Sequence, residues 1–463
     1  MEYDKKEYCG VFGVSDHETA VDLTYLGLYS LQHRGEESCG IAVYDGKRIK
    51  QVLGMGLVPD VLEPKKLEAL KGRTAIGHVR YSTTGSSIIE NVQPFVINHD
   101  KGSFAIAHNG NLVNAIKIRK KLEQEGAIFQ TTMDSEIVMH LIARSKEKDF
   151  MGRLVEALKE CEGSYTMLFL YKNKLIGVRD SYGFHPLCLG RKHGSYILAS
   201  ETCALDLIDA EFIREIEPGE IVVIEGDKIE SKYPFPKTQR AFCIFEFIYF
   251  ARPDSNIFYK NVNQVRKALG KALAKEHPVK ADMVMAIPDS GNYAALGYAE
   301  ESGVPFEFGM IRNHYVGRTF IQPSQEMRKH GVKIKLNPIR EVLKGKSVIV
   351  VEDSIVRGTT TSGRIQAIRD AGVKEIHMRI SCPPIKFPCF YGIDFPNRKE
   401  LIANQLSSIE EIGKQIGVDS LKYLSIEGML KAAEDSNNFC TACFSGVYPT
   451  KVNKRATKAA LEG

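Results

Sequence analysis

A strand pattern followed at once by two acids, within residues 346–363, most constrains what this chain can fold into. Residues 348–351 are Val-Ile-Val-Val, an apolar run that is too short for a helix and rich in β-branched side chains. Such a run predicts a strand buried on both faces, as in a parallel sheet. Glu352 and Asp353 follow, then a loop of small and hydroxylated residues, and then apolar residues at helical spacing. The stretch therefore predicts a strand–loop–helix unit of an α/β domain.

This order of elements suits a ligand that carries a sugar between phosphates. Open α/β sheets bind ligands at the carboxyl ends of their strands, where Glu352 and Asp353 can hold sugar hydroxyls or Mg2+. The backbone N–H groups of the loop and the N-terminus of the next helix favour a phosphate. A Walker A loop is excluded because no Gly-Lys-Ser/Thr closes the loop. An ordinary strand–helix turn with two chance acids is the alternative.

The stretch resembles the signature loop of the type I phosphoribosyltransferases, through both acids and the Arg-Gly-Thr-Thr core at residues 357–360. The resemblance implies that the acid pair holds the ribose hydroxyls of phosphoribosyl pyrophosphate (PRPP) and that the loop cradles its 5′-phosphate. A second strand–loop–helix pattern passes through Asp289 and Ser290 and suits the pyrophosphate. The implied PRPP-binding residues are Asp289, Ser290, Glu352, Asp353, Ser354, Arg357, Gly358, Thr359, Thr360 and Thr361. The resemblance places one Mg2+ per subunit on Ser290, Glu352 and Asp353.

The length and the net charge of the chain limit the classes of protein to which it can belong. A chain of 463 residues is long enough for two or three domains with real cores. A net charge of +5, from 62 basic and 57 acidic residues, is too balanced to indicate nucleic-acid binding. No apolar run approaches the length of a membrane span, and residues 1–8 are charged and lack an apolar signal core. We therefore predict a cytoplasmic protein that binds neither nucleic acid nor membrane.

Five short motifs follow one another in the first third of the chain. They are Cys-Gly-Val-Phe-Gly from Cys9, Gln-His-Arg-Gly around Arg34, His-Val-Arg-Tyr-Ser around Arg80, His-Asn-Gly-Asn around Asn109 and Thr-Met-Asp-Ser-Glu around Asp134. Taken singly, each motif is weak. Asn109 and Gly110 predict a turn at the end of a strand, and Asp134 or Ser135 predicts a helix cap. The order of the motifs resembles the glutaminase domain of the N-terminal-nucleophile amidotransferases, which implies a four-layer αββα sandwich.

The residue types fit the hydrolysis of a glutamine amide by a thiol. The Cys9 thiol would attack the side-chain amide, form a glutamyl thioester and release ammonia. A processed N-terminal cysteine supplies its own α-amine as the base, with a pKa of about 7.7–8.0 against about 8.5 for a free thiol. An amine locked in a peptide bond cannot act in this way. The interpretation therefore requires removal of residues 1–8 as a propeptide.

The same resemblance implies roles for the other motif residues. Asn109 and the backbone N–H of Gly110 would form the oxyanion hole. Arg80 and Asp134 would hold the α-carboxylate and α-amine of glutamine, and Arg34 is assigned to the same glutamine-binding set. Opposite charges at the two ends of the pocket would select a free amino acid over a peptide.

The ten cysteines are better explained by catalysis, metal binding or burial than by disulfides in a reducing compartment. Cys440 and Cys443 form a Cys-x-x-Cys pair, which by itself suits zinc, a redox pair or an iron–sulfur cluster. The iron–sulfur branch of the family that the chain resembles implies one 4Fe-4S cluster per subunit, in a structural role. The cluster would lie on Cys243, Cys389, Cys440 and Cys443.

The two halves together resemble the iron–sulfur branch of the amidophosphoribosyltransferase family over nearly the whole chain. The implied fold class is α+β followed by α/β, with a propeptide at residues 1–8, a glutaminase domain at 9–235 and a phosphoribosyltransferase domain with a cluster-binding extension at 243–463. The implied reaction converts glutamine, PRPP and water to 5-phosphoribosylamine, pyrophosphate and glutamate, the first committed step of purine synthesis. The family also implies feedback inhibition by purine nucleotides and a homotetramer.

Some features depart from the family pattern or carry a second interpretation. Glu352 stands where a second aspartate is common, while His185 and His314 stand where arginines are usual. The basic stretch at residues 312–337 would be a lid that closes over PRPP, or else a solvated surface loop.

Two other functions fit part of the pattern. A glucosamine-phosphate synthase shares the glutaminase class, but it carries sugar-isomerase domains instead of the signature at residues 351–363. A PRPP-sensing regulator with an inactive transferase fold and a cluster as sensor would not need Cys9, Asn109 and Asp134 together. A regulator that binds DNA would also need a basic patch besides the loop assigned to PRPP.

Overall fold

The computed structural model describes residues 9–81, 87–313, 336–395, 397–435 and 437–452. The predicted propeptide, the greater part of the predicted lid at 314–335, which includes His314, and the end of the chain from residue 453 lie outside these residues. Within the described ranges, no helix has the length and apolar character needed to cross a membrane.

The strands build two large antiparallel sheets, one parallel sheet and three two-stranded ribbons. In chain order they are β1 (Gly10–Val14), β2 (Ser38–Tyr44), β3 (Ile49–Met55), β4 (Thr74–Arg80), β5 (Phe95–Ile97), β6 (Phe104–Leu112), β7 (Gly163–Tyr171), β8 (Lys174–Arg179), β9 (Cys188–Lys192), β10 (Ser195–Ala199), β11 (Glu211–Glu215), β12 (Ile221–Glu225), β13 (Lys228–Lys232), β14 (Phe242–Cys243), β15 (Asn256–Ile257), β16 (Lys260–Asn261), β17 (Met283–Ala286), β18 (Met310–Arg312), β19 (Leu336–Pro338), β20 (Ser347–Glu352), β21 (Glu375–Ile380), β22 (Ser420–Tyr423) and β23 (Phe439–Cys440).

The helices lie on the outer faces of these sheets and in the connections. In chain order they are α1 (Ala20–Ser30), α2 (Val58–Val61), α3 (Pro64–Leu67), α4 (Ala115–Gln124), α5 (Ser135–Arg144), α6 (Phe150–Lys159), α7 (Cys203–Asp206), α8 (Val262–Glu276), α9 (Asn292–Ser302), α10 (Arg340–Leu343), α11 (Thr359–Asp370), α12 (Ile402–Gln405), α13 (Ile409–Ile416), α14 (Ile426–Ala432) and α15 (Ala442–Ser445). Short 3-10 turns cover Gln32–Arg34, Ile89–Asn91 and Arg398–Glu400, and Glu246–Phe250 forms one turn of π-helix.

The first part of the chain forms two antiparallel sheets stacked face to face. Their strand orders are β11-β9-β10-β1-β4-β2-β3 and β13-β12-β8-β7-β6-β5. Buried side chains such as Val11, Ile76 and Leu168 fill the layer between the sheets. Helices α1 and α7 cover the outer face of the first sheet, and α4, α5 and α6 cover that of the second. The predicted four-layer αββα sandwich is confirmed.

The second part of the chain is built on the parallel sheet β17-β20-β21-β22. The Val-Ile-Val-Val run lies in β20 with no exposed surface, and α11 follows the loop as the sequence predicts. Both elements form because the β-branched run is covered on its two faces by helices that share one apolar core. The predicted α/β class is confirmed, while the domain bounds 9–235 and 243–463 stay predictions.

One strand runs further than the sequence predicts. Asn109 and Gly110 do not turn the chain, because β6 continues past them with Asn109 opposite Thr166 and Gly110 opposite Tyr165. Gly110 has a φ of 146°, and a Cβ at this position would lie 2.1 Å from the carbonyl oxygen of Ser164. The glycine therefore allows close approach of two paired strands instead of making a hairpin turn.

A buried charge cluster joins the two parts of the chain. Arg34 donates to Glu201 (Nη1–Oε1, 2.5 Å) and to Glu246 (Nη2–Oε1, 2.6 Å), and all three side chains are fully buried. His185 lies beside them, with Nδ1 3.3 Å from Oε1 of Glu246 and Nε2 2.8 Å from the carbonyl oxygen of Tyr391. The aromatic π-helical segment that carries Glu246 is thus buried against the sandwich.

Replacing Glu246 with Gln should destabilise this junction, because Arg34 loses a buried counter-charge. Removing one partner from a buried ion pair typically costs about 3–5 kcal/mol. We expect a lower midpoint of thermal unfolding, measured by differential scanning calorimetry. As a control, Glu434→Gln removes an exposed pair with Lys260 and should leave the midpoint in place. Equal midpoints for the two variants would contradict a stabilising role for the cluster.

Candidate active sites

Cys9 lies at the head of β1, beside the end of β4. The two strands pair antiparallel, with Gly10 opposite Val79, so that Cys9 comes next to Arg80. The Cys9 side chain is buried, and its Sγ lies 3.6 Å from the carbonyl oxygen of Tyr81. The predicted nucleophile therefore stands at the end of a strand.

The surroundings of Cys9 keep its thiol neutral in the unprocessed chain. Burial raises the pKa of the Cys9 thiol to about 11, and the opposing effects of the Tyr81 carbonyl contact and of Arg80 are smaller. The thiolate is the nucleophilic form of cysteine. At neutral pH the unprocessed chain thus holds Cys9 in its unreactive form, which fits the need for a freed α-amine as base.

Asn109 has the environment expected of a donor reserved for a ligand. Its side chain is fully buried on β6, and neither its Nδ2 nor its Oδ1 has a hydrogen-bond partner among the described residues. Buried amides are nearly always satisfied in folded proteins, and an exception calls for a functional explanation. His78 on β4 lies with Nε2 3.0 Å from the carbonyl oxygen of His108, which ties the strand of Asn109 to the strand of Arg80.

Asp134 occupies the first position before α5 but does not cap the helix. Its Oδ2 accepts a hydrogen bond from the backbone N–H of Leu112 (2.8 Å), and its Oδ1 lies 3.4 Å from Nδ1 of His108. Burial by itself would raise the pKa of Asp134, but His108 and the Leu112 N–H outweigh it and lower that pKa. The predicted cap by Asp134 or Ser135 is wrong, because the carboxylate is held against the end of β6 instead.

The two arginines assigned to glutamine have different surroundings. Arg80 is buried and donates from Nη1 to Oε1 of Glu37 (2.7 Å). Arg34 points toward the charge cluster at the junction, and its Nε donates to the carbonyl oxygen of Cys9 (3.0 Å). Arg80 thus lies beside Cys9 across the strand pair, whereas Arg34 holds the Cys9 backbone. A direct contact of Arg34 with glutamine stays a prediction.

The second group of site residues lies at the carboxyl edge of the parallel sheet. Glu352 ends β20 and Asp353 follows it, and both side chains are buried. Because β17 runs parallel to β20, the loop that carries Asp289 and Ser290 leaves the sheet at the same edge. Arg312 donates from Nη1 to Oδ2 of Asp289 (2.7 Å) and borders this edge.

The loop between the acids and α11 has the shape of a phosphate cradle. Ser354 donates from Oγ to Oδ1 of Asp353 (2.6 Å). Gly358 stands at the N-cap with a φ of 80°, and a Cβ there would lie 2.4 Å from Cδ1 of Ile402. Thr359, Thr360 and Thr361 form the first turn of α11, and the N-terminus of a helix favours an anion.

Arg357, also assigned to PRPP, is turned away from the acids. Its Nη2 lies 3.0 Å from Oε2 of Glu400, in a pair that is partly open to solvent. A solvent-screened pair of this kind is weak, so the side chain can turn to a phosphate at little cost. The structure thus brings Glu352, Asp353, Ser354 and Gly358 together and leaves Arg357 at the rim.

The acid pair fits Mg2+ in the manner of nucleotide and PRPP sites. Among the described residues, no three His, Cys, Asp or Glu side chains are arranged to hold a metal ion. Mg2+ usually keeps several waters and takes only one or two carboxylates together with substrate phosphates. Two buried acids, with the Ser290 loop at the same edge of the sheet, match the carboxylate part of that donor set.

The four cysteines assigned to a cluster lie close to one another. Cys243 and Cys440 are paired across the ribbon of β14 and β23, and Cys443 follows in α15. Burial raises the pKa of the Cys443 thiol, and the neighbouring Cys389, Cys440 and Cys243 raise it further. Thiols that oppose each other's ionisation suit a group of iron ions that neutralises them. Cysteine thiolates are the ligands of 4Fe-4S clusters, and these four cysteines would hold one.

Three side chains that sequence analysis did not single out belong to these sites. Glu37 pairs with Arg80, Glu201 pairs with Arg34, and Arg364 pairs with Glu352 (Nη1–Oε1, 2.5 Å). Each is an ordinary charged residue in the sequence, and each partner lies in another element of the fold. A search for opposite charges beside the motif arginines and acids could have found these residues only with the fold in hand.

Comparison with known proteins gives one consistent set of relatives. Residues 78–207 match a family model described as a glutamine amidotransferase domain. Amidophosphoribosyltransferase 1, chloroplastic, of Arabidopsis thaliana is 51% identical over 96% of this chain and 79% of its own length. The amidophosphoribosyltransferase of Methanocaldococcus jannaschii is 48% identical over 96% of this chain and 98% of its own length. A solved glutamine PRPP amidotransferase from B. subtilis, complexed with ADP and GMP, superposes with a TM-score of 0.92 at 46% identity, covering 98% of this chain and 100% of that one.

In the unprocessed chain, the Cys9 thiol should react slowly with iodoacetamide at neutral pH. The rate should rise about tenfold per pH unit, toward the thiol pKa of about 11. Mass spectrometry of the Cys9 peptide over a pH series measures this rate. The matched control is a chain cleaved before Cys9, whose thiol should react faster at neutral pH. A rate in the unprocessed chain that levels off near the pKa of an ordinary thiol would contradict the buried, neutral state.

Proposed function

The chain belongs to the amidophosphoribosyltransferase family, and on this premise we propose how its residues divide the reaction between two sites. The enzyme uses glutamine and PRPP in the first step of purine biosynthesis. One observation carries the proposal: a single chain combines a buried thiol at the head of β1 with a buried acid pair at the end of β20. The thiol would release ammonia, and the acids would hold the molecule that accepts it.

Cys9 would attack the side-chain amide of glutamine once residues 1–8 have been removed. The freed α-amine takes the thiol proton and later returns a proton to the leaving ammonia. Asn109 and the N–H of Gly110 would donate to the oxyanion that forms at the amide carbon. One such donor is typically worth about 10²–10³ in rate. The buried, unpartnered amide of Asn109 in the described structure supports this role.

Glutamine would be recognised by its two α-substituents. The Asp134 carboxylate, whose pKa is held below its ordinary value, is ionised and suits the α-amine. The buried guanidinium of Arg80 suits the α-carboxylate and is kept in place by Glu37. A peptide-bound glutamine lacks both charges, so binding it would form neither of these two ion pairs.

At the other site, Glu352 and Asp353 would accept hydrogen bonds from the ribose hydroxyls of PRPP. The backbone of the loop from Ser354 to Gly358 and the first turn of α11 would bind the 5′-phosphate. The loop of Asp289 and Ser290 would face the pyrophosphate. Ser290, Glu352 and Asp353 would hold Mg2+, which offsets the negative charge of the leaving group.

Ammonia must reach PRPP without meeting solvent, because in water it is mostly protonated and no longer nucleophilic. The aromatic segment around Glu246 is buried between the sandwich and the parallel sheet and could line such a path. A closed route also raises the effective concentration of ammonia at the acceptor. The basic stretch at 312–337 would complete the seal over PRPP, although its greater part lies outside the described residues.

A 4Fe-4S cluster on Cys243, Cys389, Cys440 and Cys443 would have a structural role. When bound, it would connect β14, the loop around Cys389 and the segment of β23 and α15. These segments are far apart in the sequence and surround the junction with the sandwich. Three irregular segments joined at one point would lose much of the conformational freedom they have without the cluster.

The proposals for regulation and assembly rest on the relatives of the chain. Purine nucleotides are proposed as feedback inhibitors because the B. subtilis amidotransferase was solved in complex with ADP and GMP. The homotetramer and the cytoplasmic location stay predictions from the family resemblance. The Arabidopsis relative is described as chloroplastic, so the location of family members varies.

Purified processed protein with glutamine, PRPP and Mg2+ should release glutamate and pyrophosphate in equal amounts, and only when both substrates are present. Cys9→Ala should abolish glutamine-dependent synthesis and keep ammonia-dependent synthesis, because the second site does not need the thiol. A coupled assay for the two products measures both. Loss of both activities in a folded Cys9→Ala protein would contradict the division of labour.

Cys443→Ser should remove iron and the visible absorption of the cluster, because a hydroxyl is a poor ligand for a soft iron–sulfur centre. Anaerobic purification followed by iron and sulfide analysis measures the loss. Cys161→Ser is the matched control, since Cys161 follows α6 and is buried in the core of the sandwich. Equal iron content in the two variants would contradict ligation by Cys443.

A further inference from the structure

The buried acid Glu352 is held by an arginine to which the proposed function gives no role. Arg364 lies on α11, and its Nη1 is 2.5 Å from Oε1 of Glu352. The Glu352 side chain is 1% exposed and that of Arg364 is 23% exposed. Charge-assisted hydrogen bonds of this length are about twice as strong as neutral ones, and the buried setting limits screening by solvent.

The other oxygen of Glu352 faces the same helix. Oγ1 of Thr361 lies 3.5 Å from Oε2 of Glu352. Residues three apart on a helix share a face, so Thr361 and Arg364 approach the carboxylate from consecutive turns of α11. The N-terminus of this helix forms the proposed phosphate site. The ribose acid and the phosphate cradle are therefore connected through one rigid element.

This connection explains how a glutamate can stand where an aspartate is common. Glutamate has one more rotatable bond than aspartate, so its carboxylate reaches further and has more conformations to lose. A planar guanidinium supplies a fixed direction for the carboxylate. The Nε of Arg364 is also buried, and it has no hydrogen-bond partner among the described residues. The Arg364 guanidinium thus has a second N–H donor, at Nε, near the Glu352 carboxylate.

We propose that Arg364 is a positioning residue, which fixes the carboxylate of Glu352 for the ribose hydroxyls of PRPP. The inference rests on the proposed function of the acid pair. Arg364 compensates for the longer side chain of Glu352. Thr361, in the first turn of α11, contacts the same carboxylate and so links its position to that of the 5′-phosphate loop. Arg364 acts through Glu352 and has no part in the chemistry at Cys9.

The test measures ammonia-dependent synthesis, which reports on the PRPP site without the glutaminase. Arg364→Met keeps the length of the side chain and removes its charge. It should raise the KM for PRPP about 10- to 100-fold, the effect of losing one hydrogen bond to a charged group. The KM for glutamine in the glutaminase assay should not change. Arg364→Lys should recover part of the PRPP affinity.

Arg369→Met is the matched control. Arg369 lies on the same helix and forms an ion pair of the same length with Asp419, partly open to solvent and away from the acids. This variant should leave the KM for PRPP unchanged. If both variants raise that KM equally and lower the thermal midpoint equally, Arg364 only stabilises α11 and the proposal is overturned.

A double-mutant cycle with Glu352→Asp separates positioning from general damage. In the aspartate background Arg364→Met should raise the KM for PRPP much less than in the native background, because the shorter acid needs no such support. Equal increases in both backgrounds would overturn the proposal. Failure of the native enzyme to release pyrophosphate from PRPP and ammonia would instead refute the proposed function, whatever the variants do.

Discussion

The junction between the two parts of the chain depends on one buried guanidinium. Arg34 is removed from water and is stabilised by Glu201 and Glu246, and although burial would lower its pKa, the two carboxylates raise it. Glu201 also accepts hydrogen bonds from the backbone of Arg252 and from Ser255 (2.9 and 2.7 Å). Its carboxylate therefore connects the sandwich with the chain that leads to the parallel sheet. Because a buried charge without a partner is costly, the two parts have one arrangement that satisfies all of these groups.

That arrangement sets the positions of both sites. Arg34 also donates to the carbonyl oxygen of Cys9, so the residue that joins the two parts holds the backbone of the nucleophile. On the other side of the junction, Arg266 donates to the carbonyl oxygens of Phe247 and Ala251 (2.7 and 2.8 Å), at the two ends of the π-helical segment. The backbone of Cys9 and the π-helical segment are thus held by the same arginine, Arg34, and Cys9 and Glu352 each stand at the end of a strand. This geometry suits a transfer in which ammonia must not escape.

The fold could be predicted where one short pattern determines one element. The Val-Ile-Val-Val run has one stable solution, a strand covered on both faces, and the acids at its end must then lie at the edge of the sheet. Predictions failed where a residue has a local use and a tertiary use. Asn109 and Gly110 read as a turn, yet Gly110 allows close approach to Ser164 within a continuous ladder. Asp134 is predicted to cap α5, yet its carboxylate contacts the Leu112 N–H and His108 at the end of β6. These tertiary partners stabilise the carboxylate more than the N–H groups at the start of the helix.

The sequence by itself determined the fold class and the family and predicted the two site chemistries, because these depend on residue types in a fixed order along the chain. The tertiary structure decided which charges meet. Glu37, Glu201 and Arg364 are unremarkable as sequence positions, and each finds its partner across two elements. Ion pairs between distant segments carry no periodic signal, and their partners are chosen by the packing that brings them out of water. For this reason the ion-pair partners of Arg80, Arg34 and Glu352 could be identified only in the folded chain.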